Sequence, residues 1–169
     1  DRRCSMLLGE PGKGDPLAHP RISLSCEAVF LDRDTTEHEF ASLRFLRRNP
    51  KSKLYAGFGD FSIARLEIRG ASLNGGFGQA FELYGGDLLS PQSERLRANE
   101  SKLIEGLNDT GIGLVTKLAE KAGLKAIGRI SVTGCDSDGI DIVTGDRPGR
   151  IWFAETAKTV ENVFGELSR

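Results

Sequence analysis

The residues best suited to chemistry lie in two glycine–aromatic segments. One is Tyr55-Ala56-Gly57-Phe58-Gly59-Asp60-Phe61, which runs into the apolar stretch Ser62-Ile63-Ala64-Arg65-Leu66; the other is Gly75-Gly76-Phe77-Gly78-Gln79-Ala80. Glycine lacks a Cβ, so such backbone can come close to a flat ligand or to a neighbouring strand. Gly75, Gly76, Phe77 and Gly78 are therefore candidates for close backbone or stacking contact with a bound group, and barrel-type bulging is the alternative use of the same glycines. Arg65 is the one cation in its stretch. A buried unpaired charge is costly, so its guanidinium must reach water, a carboxylate or a bound anion. Asp60, Glu67 and a second subunit are the carboxylate candidates.

Other patterns fall short of the chemistry they suggest. Gly9-Glu10-Pro11-Gly12-Lys13-Gly14 has the look of a phosphate-cradling loop, but Gly14 stands where Ser or Thr must reach Mg²⁺, and a strand rather than a helix follows. It reads as a hairpin connection in which Lys13 is free to touch an anion. Gly76-Phe77-Gly78-Gln79-Ala80-Phe81 lacks the third glycine of a dinucleotide fingerprint and the helix behind it. The histidines are His19, between prolines, and His38, between Glu37 and Glu39 in the first turn of a helix; both read as structural or surface residues rather than metal ligands. Asp136-Ser137-Asp138-Gly139 lacks calcium-loop spacing and reads as an exposed acidic turn, where Gly139→Ala should cost only ~1 kcal/mol. No G-x-S-x-G elbow is present. Cys4, Cys26 and Cys135 are odd in number and far apart, which argues against a disulfide framework or zinc site and for a reduced, cytoplasmic setting.

Elements must hold these residues in place. Arg3 to Leu8 reads as a strand. From Arg21 to Leu31, Ile22, Leu24, Cys26, Ala28 and Phe30 alternate with polar residues, as in a half-buried strand. Thr36 with Glu39 forms a capping-box pattern ahead of Phe40, Leu43 and Leu46, and Pro50 closes that helix. Residues 60–83 read as two strands, Phe61 to Ile68 and about Ser72 to Leu83, with Gly70 and Gly75-Gly76 as bend or bulge sites. Ser90-Pro91 supplies an N-cap and a first-turn proline. Two helices follow, marked by Leu96, Leu103, Ile104 and Leu107 and by Ile112, Val115, Leu118 and Ala119, the second stopped by Gly123. Strands at 127–133, 140–144 and 150–153 and a last helix with Val160, Val163, Phe164 and Leu167 inward complete the chain. The boundary between the two portions falls near Gly86, giving domains 1–86 and 87–169.

The chain has 169 residues, 28% charged, with a net charge of −1. A chain of this length buries roughly 70% of its unfolded surface, enough for a true core. Its charge balance gives no footprint for nucleic acid or a membrane surface, and no apolar run approaches the ~20 residues of a membrane span.

Asp15-Pro16-Leu17 with His19-Pro20-Arg21, the Asp60-Phe61 to Arg65-Leu66 pair and Gly75-Gly76-Phe77-Gly78 together resemble the pyridoxamine 5′-phosphate oxidase-like FMN-binding split barrels, in the branch of heme-utilisation proteins. Residues from about 90 onward resemble the small C-terminal domain often fused to these barrels. The resemblance implies an α+β protein: an antiparallel split β-barrel, lacking the N-terminal strands that carry much of the flavin phosphate site, followed by an ααβββα domain. It implies a homodimer with FMN at the subunit interface, acting as a flavin-dependent oxidoreductase on a small-molecule substrate. Arg65 would meet an anionic cofactor group or an interface ion pair, and Gly75 to Gly78 the cofactor itself. Heme is the alternative cofactor, and a cofactor-free interaction module is a third reading. The chain departs from these relatives at Gly106-Leu107-Asn108-Asp109-Thr110-Gly111, where they commonly carry a histidine-rich segment. No histidine lies beyond His38, which argues against histidine-ligated heme oxygenase activity.

Overall fold

The computed structural model describes residues 1–9, 15, 19–76, 78–125, 128–145 and 147–169. The chain divides into two compact units, residues 1–42 with 55–89, and residues 43–54 with 90–169. Both are mixed α and β, each with one antiparallel sheet, and no sheet closes into a barrel among the described residues.

The first unit is built on a four-stranded sheet in the order β1 (Arg3–Gly9), β2 (Arg21–Phe30), β3 (Ala64–Gly76), β4 (Gln79–Tyr84). Strand alternation sorts its side chains. Cys4, Met6 and Leu8 share a face with Ile22, Leu24, Cys26, Ala28 and Phe30, with Ala64, Leu66, Ile68, Ala71 and Leu73, and with Phe81 and Leu83. Leu24, Cys26 and Ala71 form the buried centre of that face, and Leu88 of the short helix α2 (Gly85–Leu88) packs against them. Gly70 does not divide the strand. β3 runs unbroken for 13 residues because the irregularity is absorbed by one extra residue, Arg69, between the Cys26–Ile68 and Ser25–Gly70 pairs. The second bulge falls at Gly75, as expected, between the Asn74–Ala80 and Gly76–Gln79 pairs.

Helix α1 (Thr36–Arg48) begins where the sequence suggests, but its cap is Thr35. The Thr35 hydroxyl accepts a hydrogen bond from the His38 amide at 3.2 Å and donates to the Asp32 carbonyl at 2.7 Å, so the cap lies one residue before the expected Thr36.

The second unit stacks α3 (Glu94–Asp109), α4 (Ile112–Lys121) and α5 (Val160–Leu167) on a sheet ordered β5 (Ile130–Asp136), β6 (Gly139–Thr144), β7 (Arg147–Trp152). Leu96, Leu103, Ile104 and Leu107 of α3, Val115 and Ala119 of α4, and Val163 and Leu167 of α5 close over Val132, Ile140 and Ile142. Phe164, expected inward, is exposed. β5 starts three residues later than the apolar run suggests. The α3 cap is Ser93 rather than Ser90: its hydroxyl oxygen accepts from the Leu96 amide at 3.2 Å and donates to the Lys158 carbonyl at 2.6 Å. Gly123, at φ 74°, ends α4 in the left-handed conformation that favours glycine.

Candidate functional site

The β3–β4 hairpin is where the second glycine segment lies. Gly76 and Gly78 have φ of 90° and 82°, a region in which side-chain-bearing residues are strained, and the Gly76 amide donates to Asn74 Oδ1 at 2.9 Å. The turn itself thus requires these two glycines. A Cβ on Gly75 would meet Gln79 Oε1 at 3.2 Å. Phe77, like residues 10–14 and 16–18, lies outside the described residues.

Beside this hairpin, four apolar residues form one row across the whole sheet: Leu8 pairs with Ile22, Ile22 with Leu73, and Leu73 with Phe81. With strands about 4.8 Å apart the row is about 14 Å wide. Its ends are open, Leu8 being 47% and Phe81 52% exposed. At the far end of the same face Phe30 and Leu66 are also exposed.

Arg65 lies on the opposite face, in a ladder of ion pairs. It bonds Glu37 and, at 2.8 Å, Glu67; Arg69 bonds Glu67 at 2.9 Å and Glu27 at 2.8 Å. Hydrogen bonding to Glu67 and then Glu37 raises the Arg65 pKa, and the bond from Arg65 lowers that of Glu67. Glu67 is thus the expected carboxylate partner, whereas Glu37 comes from α1. The structure does not bring Arg65 and the hairpin glycines to a common site. The first glycine segment forms a loop held by Arg33, which donates to the Phe58 carbonyl at 2.5 Å and the Phe61 carbonyl at 2.8 Å. The Tyr55 and Phe61 rings meet there at a tilt of 57°, with centroids 5.5 Å apart.

Sequence reasoning passed over a polar centre in the second unit. Arg150 spans Asp136 at 2.5 Å and Asp141 at 2.8 Å, and its guanidinium sits 4.4 Å from the centroid of the Trp152 ring. Burial opposes the Arg150 charge, but the bonds to Asp136 and Asp141 outweigh it and leave its pKa raised. The fully buried Glu100 accepts from the Cys135 amide at 3.0 Å and lies 3.5 Å from Arg44 Nε. Asn108 pins α3 to β5, donating to the Val132 carbonyl at 3.0 Å and accepting from its amide at 2.8 Å. Among the described residues no three His, Cys, Asp or Glu side chains gather to hold a metal, and no helix is long and apolar enough to cross a membrane.

No family model matches the chain, and no curated protein sequence matches it. Among solved structures, Atu2129 from Agrobacterium tumefaciens str. C58, a protein of unknown function, is 34% identical over 99% of this chain and 69% of its own, with a TM-score of 0.80. A heme binding protein from Mycobacterium smegmatis is 22% identical over 99% of this chain and 71% of its own, with a TM-score of 0.44. So loose a superposition carries no residue role from one chain to the other. The Agrobacterium likeness is of another order, in sequence and in backbone together. The chain belongs to the family of Atu2129.

Proposed function

We propose that this chain has a split-barrel-type sheet that binds a flat, amphiphilic prosthetic group on its four strands, and that this group is heme rather than FMN. The row Leu8–Ile22–Leu73–Phe81 carries the reading. A porphyrin is an apolar disc whose carboxylates sit at one edge. It suits an apolar wall with open ends, because the disc leaves water while the carboxylates stay in it. FMN instead ends in a phosphate dianion, which needs convergent donors. Arg65, the cation expected to supply them, lies on the other face and is engaged by two carboxylates. Heme supplies redox and ligand-binding chemistry when held; the residues named here exclude water from one face of it. The sequence resemblance to heme-utilisation proteins agrees, and the lack of histidine beyond His38 argues for binding or handling over histidine-ligated oxygenation.

Hemin titration followed by its visible absorbance, beside an FMN titration, tests this. Leu8→Glu and Phe81→Glu should each weaken hemin binding about tenfold or more, which is 1.4 kcal/mol, while Tyr84→Glu on the opposite face leaves it unchanged. Saturable FMN binding without hemin binding, or hemin binding indifferent to both row variants, overturns the assignment.

A further inference from the structure

The strand register does something to the cysteines that their spacing in sequence conceals: Cys4 on β1 and Cys26 on β2 are directly opposite each other, on the same face of the sheet. Cys4 is exposed, Cys26 is buried at 4%, and both are free thiols. The bond from the Ala28 amide to the Arg2 carbonyl, 2.8 Å, sets the phase of this ladder. Two residues further along, Cys4 and Cys26 are again a hydrogen-bonded pair, for which the Cα atoms stand about 5.5 Å apart. That lies within the span of about 4.4–6.8 Å that disulfides bridge. The Cβ atoms of such a pair stand up to about 5.5 Å apart, whereas a relaxed disulfide draws them to about 3.8 Å. Closure therefore pulls the two strands together, and a bond made under that tension is readily reduced.

We propose that Cys4 and Cys26 are a reversible thiol–disulfide switch that staples the edge strand β1 to β2. Exposure divides the roles. The oxidant is a low-molecular-weight disulfide. The Cys4 thiolate attacks one of its sulfurs, forming a mixed disulfide and expelling one small thiolate. The Cys26 thiolate then attacks Cys4 Sγ and expels the second small thiolate. The two protein thiols lose two electrons to the reagent, and their two protons end on the two thiols released. Cys135 takes no part: it is buried in the second unit, and desolvation first, then Asp136 and Glu100, push its thiol up to about 12. That keeps it protonated at neutral pH.

The whole chain should be equilibrated in glutathione buffers from fully reduced to fully oxidised, trapped with a thiol alkylator and mapped by peptide mass. In the oxidised limit Cys4 and Cys26 should lose alkylation together and appear as one linked peptide pair in protein that runs as a single chain under denaturing, non-reducing conditions, both recovering with dithiothreitol. Cys26→Ala should convert Cys4 to a lasting glutathione adduct, and wild-type mapping decides the matter should that variant not fold. Full alkylation of both thiols in oxidised glutathione, a Cys4 adduct alone in the wild type, or a Cys4–Cys4 link between copies would each overturn the proposal.

Discussion

Arg65 and Arg150 show how differently two arginines in strands can be used. Arg65 is half exposed in a ladder of carboxylates, where solvent screens each pair. Arg65→Ala should leave both the thermal midpoint and hemin affinity unmoved; a drop in hemin affinity would show that the wrong sheet face has been assigned. Arg150 is mostly buried between two aspartates, so Arg150→Ala should cost about 1–3 kcal/mol in urea denaturation by taking the shared cation from both, Asp136 keeping only its bond from the Asp138 amide. The buried Cys135 thiol gives a pH signature. It holds its proton to about 12, against an ordinary 9.0 for a solvated thiol, so between those values unfolding releases a proton. Stability should therefore be undiminished by this group below pH 9 and fall as pH rises toward 12, a slope that Cys135→Ala removes. At this scale Arg65 was legible as an arginine that needs a carboxylate, and Glu67 lay two residues away. Glu37 was not, because 28 residues and a change of element separate the partners.

Elements were legible where one periodicity runs uninterrupted. Ile22 to Phe30 in β2 alternates cleanly, and Ile112 to Gly123 combines a helical apolar stripe with a glycine stop; both form as expected. The sequence misleads where a local signal competes with pairing. A bulge does fall beside Gly70, at Arg69, but β3 continues through it to Gly76, so the expected strand Ser72 to Leu83 is divided between β3 and β4; and Ser90-Pro91 precedes the true cap by three residues. Ser93→Ala should cost about 1 kcal/mol in thermal denaturation, since it removes the α3 cap. The acidic turn corrects the expectation for Gly139 outright. Gly139 is buried, and a Cβ there would overlap the Ile151 carbonyl oxygen of the neighbouring strand. Backbone cannot yield as a side chain tip does, so Gly139→Ala should cost several kcal/mol rather than one, read by chemical denaturation. Equal stability of variant and parent would show that β6 and β7 separate at that end.

For the whole molecule, the fold class was legible as α+β with antiparallel sheets, and the element order of the C-terminal portion as ααβββα. The apolar row was not, because its four members come from four strands whose register no local pattern specifies. Phe30 and Leu66 are exposed at the other end of the same face; we propose a homodimer that covers them, to be read at micromolar concentration by light scattering. Phe30→Glu should then yield monomer, and a monomeric parent protein would refute the expectation. The partition of the chain also bears on how it can be cut. Residues 43–54 belong with the second unit, where Arg44 faces Glu100 and Arg47 donates to Ser101 at 2.9 Å. A fragment starting at Ser90 carries every helix and strand of that sheet, yet strands a fully buried carboxylate without its cation. The second unit is therefore interleaved rather than appended, and its minimal expressible form is a two-segment object. Fragment 90–169 alone should unfold at lower urea than the same unit in the whole chain, and a peptide of residues 43–54 added in trans should recover part of the difference.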